Sequence, residues 1–117
     1  MNGIKCRIYS KENRIMYSWE EILDFDSLKD TLKNGGKEDQ YYSPLLRYTG
    51  LKDKNGTEIY EGDIVKISGH PFDVDGNYEV GYNEYMELSC GSYYMFRMKN
   101  WAEVIGNIYE SPGLLEK

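Results

Sequence analysis

The sequence is poor in the residues that do most enzyme and metal chemistry. It has one histidine, His70, and two cysteines, Cys6 and Cys90, which lie far apart with no CxxC spacing. Without a second histidine or a cysteine at ligand spacing, His70 reads as a solvent-exposed loop residue and zinc is not expected. The cysteines read as two free, semi-buried thiols of a reducing cytosol, with a disulfide between them as the other reading. No apolar run approaches the ~20 residues that cross a bilayer, and no signal-peptide hydrophobic region opens the chain. A cytoplasmic protein with no membrane partner is therefore expected. Basic residues are also short, 14 against 20 acidic ones, for a net charge of −6. Phosphate neutralisation by clustered Lys and Arg is thus disfavoured as the main work of the chain.

Tyrosine, by contrast, is abundant: twelve in 117 residues. Tyrosine suits strands and buries its ring while the hydroxyl stays wet, so this usage and the 40% apolar content point to a folded, mainly β protein. Ile4–Tyr9 alternates Ile4, Cys6 and Ile8 with Lys5, Arg7 and Tyr9. "SKEN" is turn chemistry and Arg14–Trp19 resumes an extended pattern, which together predict an N-terminal β-hairpin. "EEILDFDSLKDTLKN" can hold a short helix, capped by Asp26 or Ser27, with Leu28 and Leu32 on one face and Asn34-Gly35-Gly36 as its stop. Gly35–Ser43 reads as a loop or linker, placing a domain boundary between residues 43 and 44. Strand signals then come at short spacing: Leu45–Lys52, Thr57–Tyr60, Ile64–Ile67, Tyr78–Tyr82, the aromatic run over residues 85–98, and "EVIGNIYE". No repeat of fixed period is visible in the residues. Five or six short strands with tight turns predict a small barrel, since closure removes exposed edges.

The densest motif is Tyr48–Val65, "YTGLKDKNGTEIYEGDIV". It is not a P-loop: Gly50 and Gly56 are five residues apart, no lysine precedes Thr57, and a strand follows where a helix should start. Asp53, Glu58, Glu61 and Asp63 could be drawn into an acid–base pair, but no histidine or nucleophile lies nearby. The architectural reading accounts for each residue. Asn55-Gly56 tolerates positive φ and forms a tight hairpin, Asp53 accepts N–H bonds within the turn, and Glu61-Gly62-Asp63 makes a second corner. "DVDGN" at Asp73–Asn77 has the look of part of a calcium loop. In that register, however, Pro71 takes the first-ligand position and Tyr82 the bidentate one, so a turn around Asp75-Gly76 is expected.

"YTGLKDKNGTEIYEGDIV", with "EVIGNIYESPGLL" near the C-terminus, resembles the YopX family, small proteins of phages and prophages of Gram-positive bacteria. "IKCRIYSKENRIMY" is similar to that family's opening, which usually has an aromatic at Cys6 and Trp-Asp at Tyr9-Ser10. The resemblance implies a β-rich fold with an SH3-like barrel and a phage or prophage origin. It implies no enzyme activity and no catalytic residues.

Binding residues are sought among the aromatics. In a strand, the adjacent Tyr93 and Tyr94 of "SYYMFRM" should point to opposite faces, so one of them faces outward. Tyr82, Tyr85, Tyr93 and Tyr94, with Arg97 and a rim of Lys66 and Lys99, form the candidate surface. The expectation is a non-catalytic module with no cofactor that binds a protein partner or its own copies. The alternative is single-stranded nucleic-acid binding by stacked tyrosines, which the acidic charge disfavours.

Overall fold

The computed structural model describes residues 5–24 and 36–115. The protein is mainly β, as the tyrosine usage and strand spacing predict. Among the described residues nine strands account for most of the regular structure: β1 (Cys6–Ser10), β2 (Ile15–Tyr17), β3 (Leu46–Lys52), β4 (Glu58–Tyr60), β5 (Asp63–Ile67), β6 (Gly76–Tyr82), β7 (Leu88–Cys90), β8 (Tyr93–Tyr94) and β9 (Ala102–Asn107). Two short helices, α1 (Trp19–Asp24) and α2 (Met95–Met98), and two 3₁₀ turns complete them. The chain divides into two compact units, Met1–Tyr48 and Thr49–Lys117.

In the first unit β1 and β2 form the expected hairpin, with Ile8 opposite Tyr17 and Ser10 opposite Ile15. Arg14 takes the left-handed conformation (φ 57°) that closes the turn. The extended pattern stops sooner than "RIMYSW" suggests, because Trp19 begins α1. Ser18 and Glu21 form a reciprocal cap: the Glu21 N–H donates to Ser18 Oγ at 3.2 Å and the Ser18 N–H to Glu21 Oε1 at 3.0 Å. The helix expected from Asp26 to Asn34 lies outside the described residues. Ile22 of α1 is fully buried against Ile8, with Tyr17, Trp19, Tyr42 and Leu45 around them. The segment read as a linker is tied down. The Ser43 N–H donates to Tyr9 O, the Tyr9 N–H to Ser43 Oγ, and Asp39 Oδ1 accepts the Tyr41 and Tyr42 N–H groups. Past residue 43, Leu46 and Arg47 pair with Arg7 and Cys6 of β1, so β3 begins within this unit.

In the second unit the strands run in the order β8-β7-β6-β5-β9. β5 sits between two antiparallel partners, and Ile64, Val65 and Ile67 are fully buried there while Lys66 faces out. The core comprises Ile59, Val65, Ile67, Val80, Cys90, Met95, Met98 and Ala102. The aromatic run does not stay extended: after β8 the chain turns into α2. A helical turn places Met95 and Met98 three apart on one face, and both are buried.

Candidate functional site

The motif Tyr48–Val65 is architectural. Asp53 is almost buried, at 7% exposure. Its Oδ1 accepts the N–H groups of Asn55 (2.8 Å) and Thr57 (2.9 Å), and its Oδ2 accepts the Val104 N–H of β9 at 2.8 Å. One carboxylate therefore shapes the loop and fastens it to β9, and the Lys54 N–H adds a bond to Ala102 O. The turn differs from the tight hairpin expected at Asn55-Gly56. Only Gly56 takes positive φ (85°), and the loop is closed wider, by the Asp53 N–H to Thr57 O. Gly62 (φ 83°) makes the second corner, where Asp63 Oδ2 accepts the Tyr60 N–H at 2.8 Å. Asp53 and Asp63, two of the four carboxylates considered for proton transfer, are thus spent on backbone, and Glu58 accepts from the Tyr60 hydroxyl at 3.4 Å.

The candidate surface lies beyond β5. The loop of residues 68–75 crosses toward β6, and its turn centres on Asp73 (φ 58°), not on Asp75-Gly76. His70 is half-buried, not the free loop residue expected. Its ring stands edge-on to Trp101 with centroids 4.5 Å apart, and its Nδ1 accepts the Phe72 N–H at 3.1 Å. That acceptor role leaves the ring proton on Nε2. Phe72 projects into solvent at 80% exposure. Across from this loop stand Ser92, Tyr93 and Tyr94, followed by Arg97 and Met98 of α2. With Val74 these residues line a groove of about 300 Å³.

The groove has a firm base. The Tyr78 hydroxyl donates to Val74 O at 2.6 Å, and its ring meets Tyr93 edge-on at 5.6 Å. Burial, then the neighbouring Tyr93, holds the Tyr78 phenol above its usual pKa, so it stays a donor. Gly91 (φ 59°) lets the ring lie flat on the turn: a Cβ there would sit 2.7 Å from Tyr78 Cδ1.

Of the five predicted site residues, Tyr93, Tyr94 and Arg97 line the groove; Tyr82 and Tyr85 do not. Both Tyr93 and Tyr94 are exposed, despite the alternation expected of a strand, because β8 is a two-residue edge. Register places Tyr82 on the same face as Val80, Cys90 and Tyr93, and Tyr94 with Ser89 on the other, but Tyr82 stands on β6, two strands in from β8. Tyr85 caps the β6–β7 loop, which is held by Asn83. Of the lysines expected at a rim, Lys99 stands over Phe96, 5.6 Å from its ring, and Lys66 lies opposite Glu103; neither lines the groove. Phe72 is one of the aromatics and His70 reads from sequence as a loop histidine, but neither falls among the predicted binding residues, and Val74, Ser92 and Met98 carry no signal beyond the apolar Phe72 and Val74 in the loop. Arg97 is the one Arg or Lys among the described residues lining the groove, and none of them is Asp or Glu. Among the described residues no group of three or more His, Cys, Asp or Glu could hold a metal ion. No described helix is long and apolar enough to cross a membrane.

The YopX protein family matches residues 5–116, nearly the whole chain. The chain belongs to the YopX family. A solved structure, that of protein EF1440 from Enterococcus faecalis, superposes with a TM-score of 0.66 at 20% identity, over 99% of this chain and 100% of that one. At that identity the likeness speaks to fold alone. No curated protein matches. For this YopX-family chain, the groove beside β8 is the feature to be explained.

Proposed function

We propose that this YopX-family chain is a non-catalytic protein-interaction module whose contact face is the aromatic groove beside β8. The observation that carries the reading is Phe72, which projects into water at the mouth of a groove also lined by Tyr93, Tyr94 and Arg97. A large ring held out by a loop that is itself pinned costs solvation in the free protein, and a partner relieves that cost. Covering one such ring stabilises a complex by about 1.5–3 kcal/mol, roughly a ten- to hundredfold change in affinity. Aromatic and Arg side chains are also the types that anchor protein interfaces. The described residues lining the groove are aromatic and apolar side chains with one guanidinium, a lining suited to binding. The cytoplasmic setting and the phage or prophage origin suggested by the sequence belong to the same proposal.

Affinity capture from a bacterial lysate, run in parallel with wild-type protein and a Phe72→Ser/Tyr94→Ser variant, tests the reading. Proteins retained by the wild type and lost by the variant support it. Identical retention by both contradicts it. Salt-sensitive retention of single-stranded oligonucleotides, lost in the same variant, would instead favour base stacking.

A further inference from the structure

We propose that the groove takes an extended peptide bearing a carboxylate, added as a strand to the free edge of β8, with Arg97 holding the carboxylate. This deepens the interaction reading above and rests on it.

The fold contains a duplication that the residues conceal. β3, β4 and β5 start at Leu46, Glu58 and Asp63, and β6, β7 and β8 start at Gly76, Leu88 and Tyr93, each thirty residues later. The two loops share four hydrogen bonds from backbone N–H groups. The Asp53 N–H donates to Thr57 O and the Asn83 N–H to Glu87 O, both at 2.9 Å. The Gly56 N–H donates to Asp53 O at 3.0 Å and the Met86 N–H to Asn83 O at 2.9 Å. Each Asx Oδ1 accepts the N–H groups two and four residues on. Gly56 and Met86 both take positive φ, at 85° and 62°. Between Leu46–Val65 and Gly76–Met95, only Tyr48 and Tyr78 coincide in identity.

The copies differ in what lies beside their third strand. In the first, β5 carries β9 on one edge, Asp63 opposite Asn107 and Ile64 opposite Gly106. The equivalent residues in the second copy are Tyr93 and Tyr94 of β8, and among the described strands β8 ends the sheet. β5 thus has a strand on both edges, β6 and β9, whereas β8 has β7 on one edge and no described strand on the other. The groove runs along the same two residues. Because α2 diverts the chain after Tyr94, backbone pairing would extend over two residues, and side chains must supply the remaining contact. A two-residue ladder selects poorly by itself.

Charge supplies the selection. The protein carries a net −6, yet the described residues lining the groove include Arg97 and no Asp or Glu. No hydrogen bond or ion pair from another described residue occupies the Arg97 guanidinium, whose planar fork matches a carboxylate. An acidic residue on the incoming strand gains this contact, and its neutral amide counterpart does not.

The test uses the full chain and two pools of end-blocked heptapeptides of Val, Thr, Tyr and Pro. One pool has Asp or Glu at the central position, the other Asn or Gln. The acidic pool is expected to bind about three- to tenfold more tightly, the range of an exposed but well-formed ion pair, and Arg97→Gln should erase that difference. N-methylation of the two central amides should weaken binding at least about tenfold, and amide exchange at Tyr93 and Tyr94 should slow on binding. Equal binding of the two pools, indifference to N-methylation or unchanged exchange at β8 would each overturn the inference, as would failure of both pools to bind. In all four cases the broader reading still stands or falls separately, on whether the Phe72→Ser/Tyr94→Ser variant captures fewer proteins.

Discussion

Replacing Asp53 by Asn isolates one hydrogen bond and asks how much of the second unit depends on it. The two N–H groups of Asn55 and Thr57 are held by Oδ1, and Asn83 performs the same task in its own loop with an amide oxygen. An Asn at position 53 can keep them. What it cannot keep is the bond from Val104, because its NH₂ would then face the Val104 N–H now 2.8 Å from Oδ2. Flipping the amide only moves the mismatch into the loop. The loss is one hydrogen bond to a charged acceptor, worth about 1.5–3 kcal/mol, with the Val104 donor left facing another donor. An overall destabilisation of about 2–3 kcal/mol follows, a sizeable share of the roughly 5–15 kcal/mol typical of a domain. In urea the midpoint should fall by roughly 1–2 M with an unchanged slope, read from Trp101 fluorescence in a Trp19→Phe background. The reciprocal change, Asn83→Asp, sets a carboxylate against Glu87, whose Oε1 now accepts from Asn83 Nδ2 at 3.0 Å, and should also destabilise. If Asp53→Asn unfolds within about 0.5 kcal/mol of wild type, the Asp53–Val104 bond is not what fastens the loop, and the architectural account of the motif is wrong.

Four further perturbations probe the backbone and the core. Met86→Gly should stabilise by about 0.5–1 kcal/mol, since a left-handed L-residue costs about 1–2 kcal/mol and glycine's extra flexibility returns only part of that. Gly56→Ala, at the matched position with open space around its Cβ, should destabilise by a similar amount, and thermal melts of the pair would show the opposite signs. Gly91→Ala meets both a positive φ and the Tyr78 ring. It should cost about 2–4 kcal/mol and broaden or shift the Tyr93 resonances, whereas unchanged resonances would contradict the role given to Tyr78. Burial pushes the Cys90 thiol from 9.0 up to about 11. The folded state thus holds its proton where the unfolded state has lost it, so stability is full below about pH 9 and declines as pH rises through about 11. Native protein at pH 8 should accordingly resist thiol-specific alkylation at Cys90, a residue that should react once urea unfolds the chain; rapid native labelling would contradict the burial.

The β-hairpin at the N-terminus, the strands of the central motif and the corner at Gly62 were legible because each is written locally, in alternation and in Gly and Asx chemistry. What could not be read was set by partners distant in sequence. Trp19 looks like the end of a strand until Ser18 and Glu21 are seen to cap a helix. Met95–Met98 looks extended because its aromatic neighbours are strand formers, yet the burial of both methionines against β7 and the core favours a helical turn. His70 looks like a free loop residue because Trp101, thirty-one positions on, supplies the surface beneath it. The thirty-residue duplication stayed hidden for a related reason: an Asx side chain and one left-handed residue specify the loop, and Asp-x-x-Gly and Asn-x-x-Met meet that requirement with different residues. Within the candidate site, Tyr93, Tyr94 and Arg97 were legible from aromatic density. Tyr82 and Tyr85 were drawn in by the same density, but Tyr82 stands on β6, two strands in from β8, and Tyr85 lies in the β6–β7 loop.

The most direct measurement of the central claim is an amide and aromatic NMR shift map of the isotopically labelled protein, titrated with a partner isolated by capture on the wild type. Perturbations concentrated at Phe72, Tyr93, Tyr94 and Arg97, with the Trp101 indole responding through His70, are the predicted result. Perturbations confined to the Tyr85–Met86 loop, with the groove silent, would contradict it.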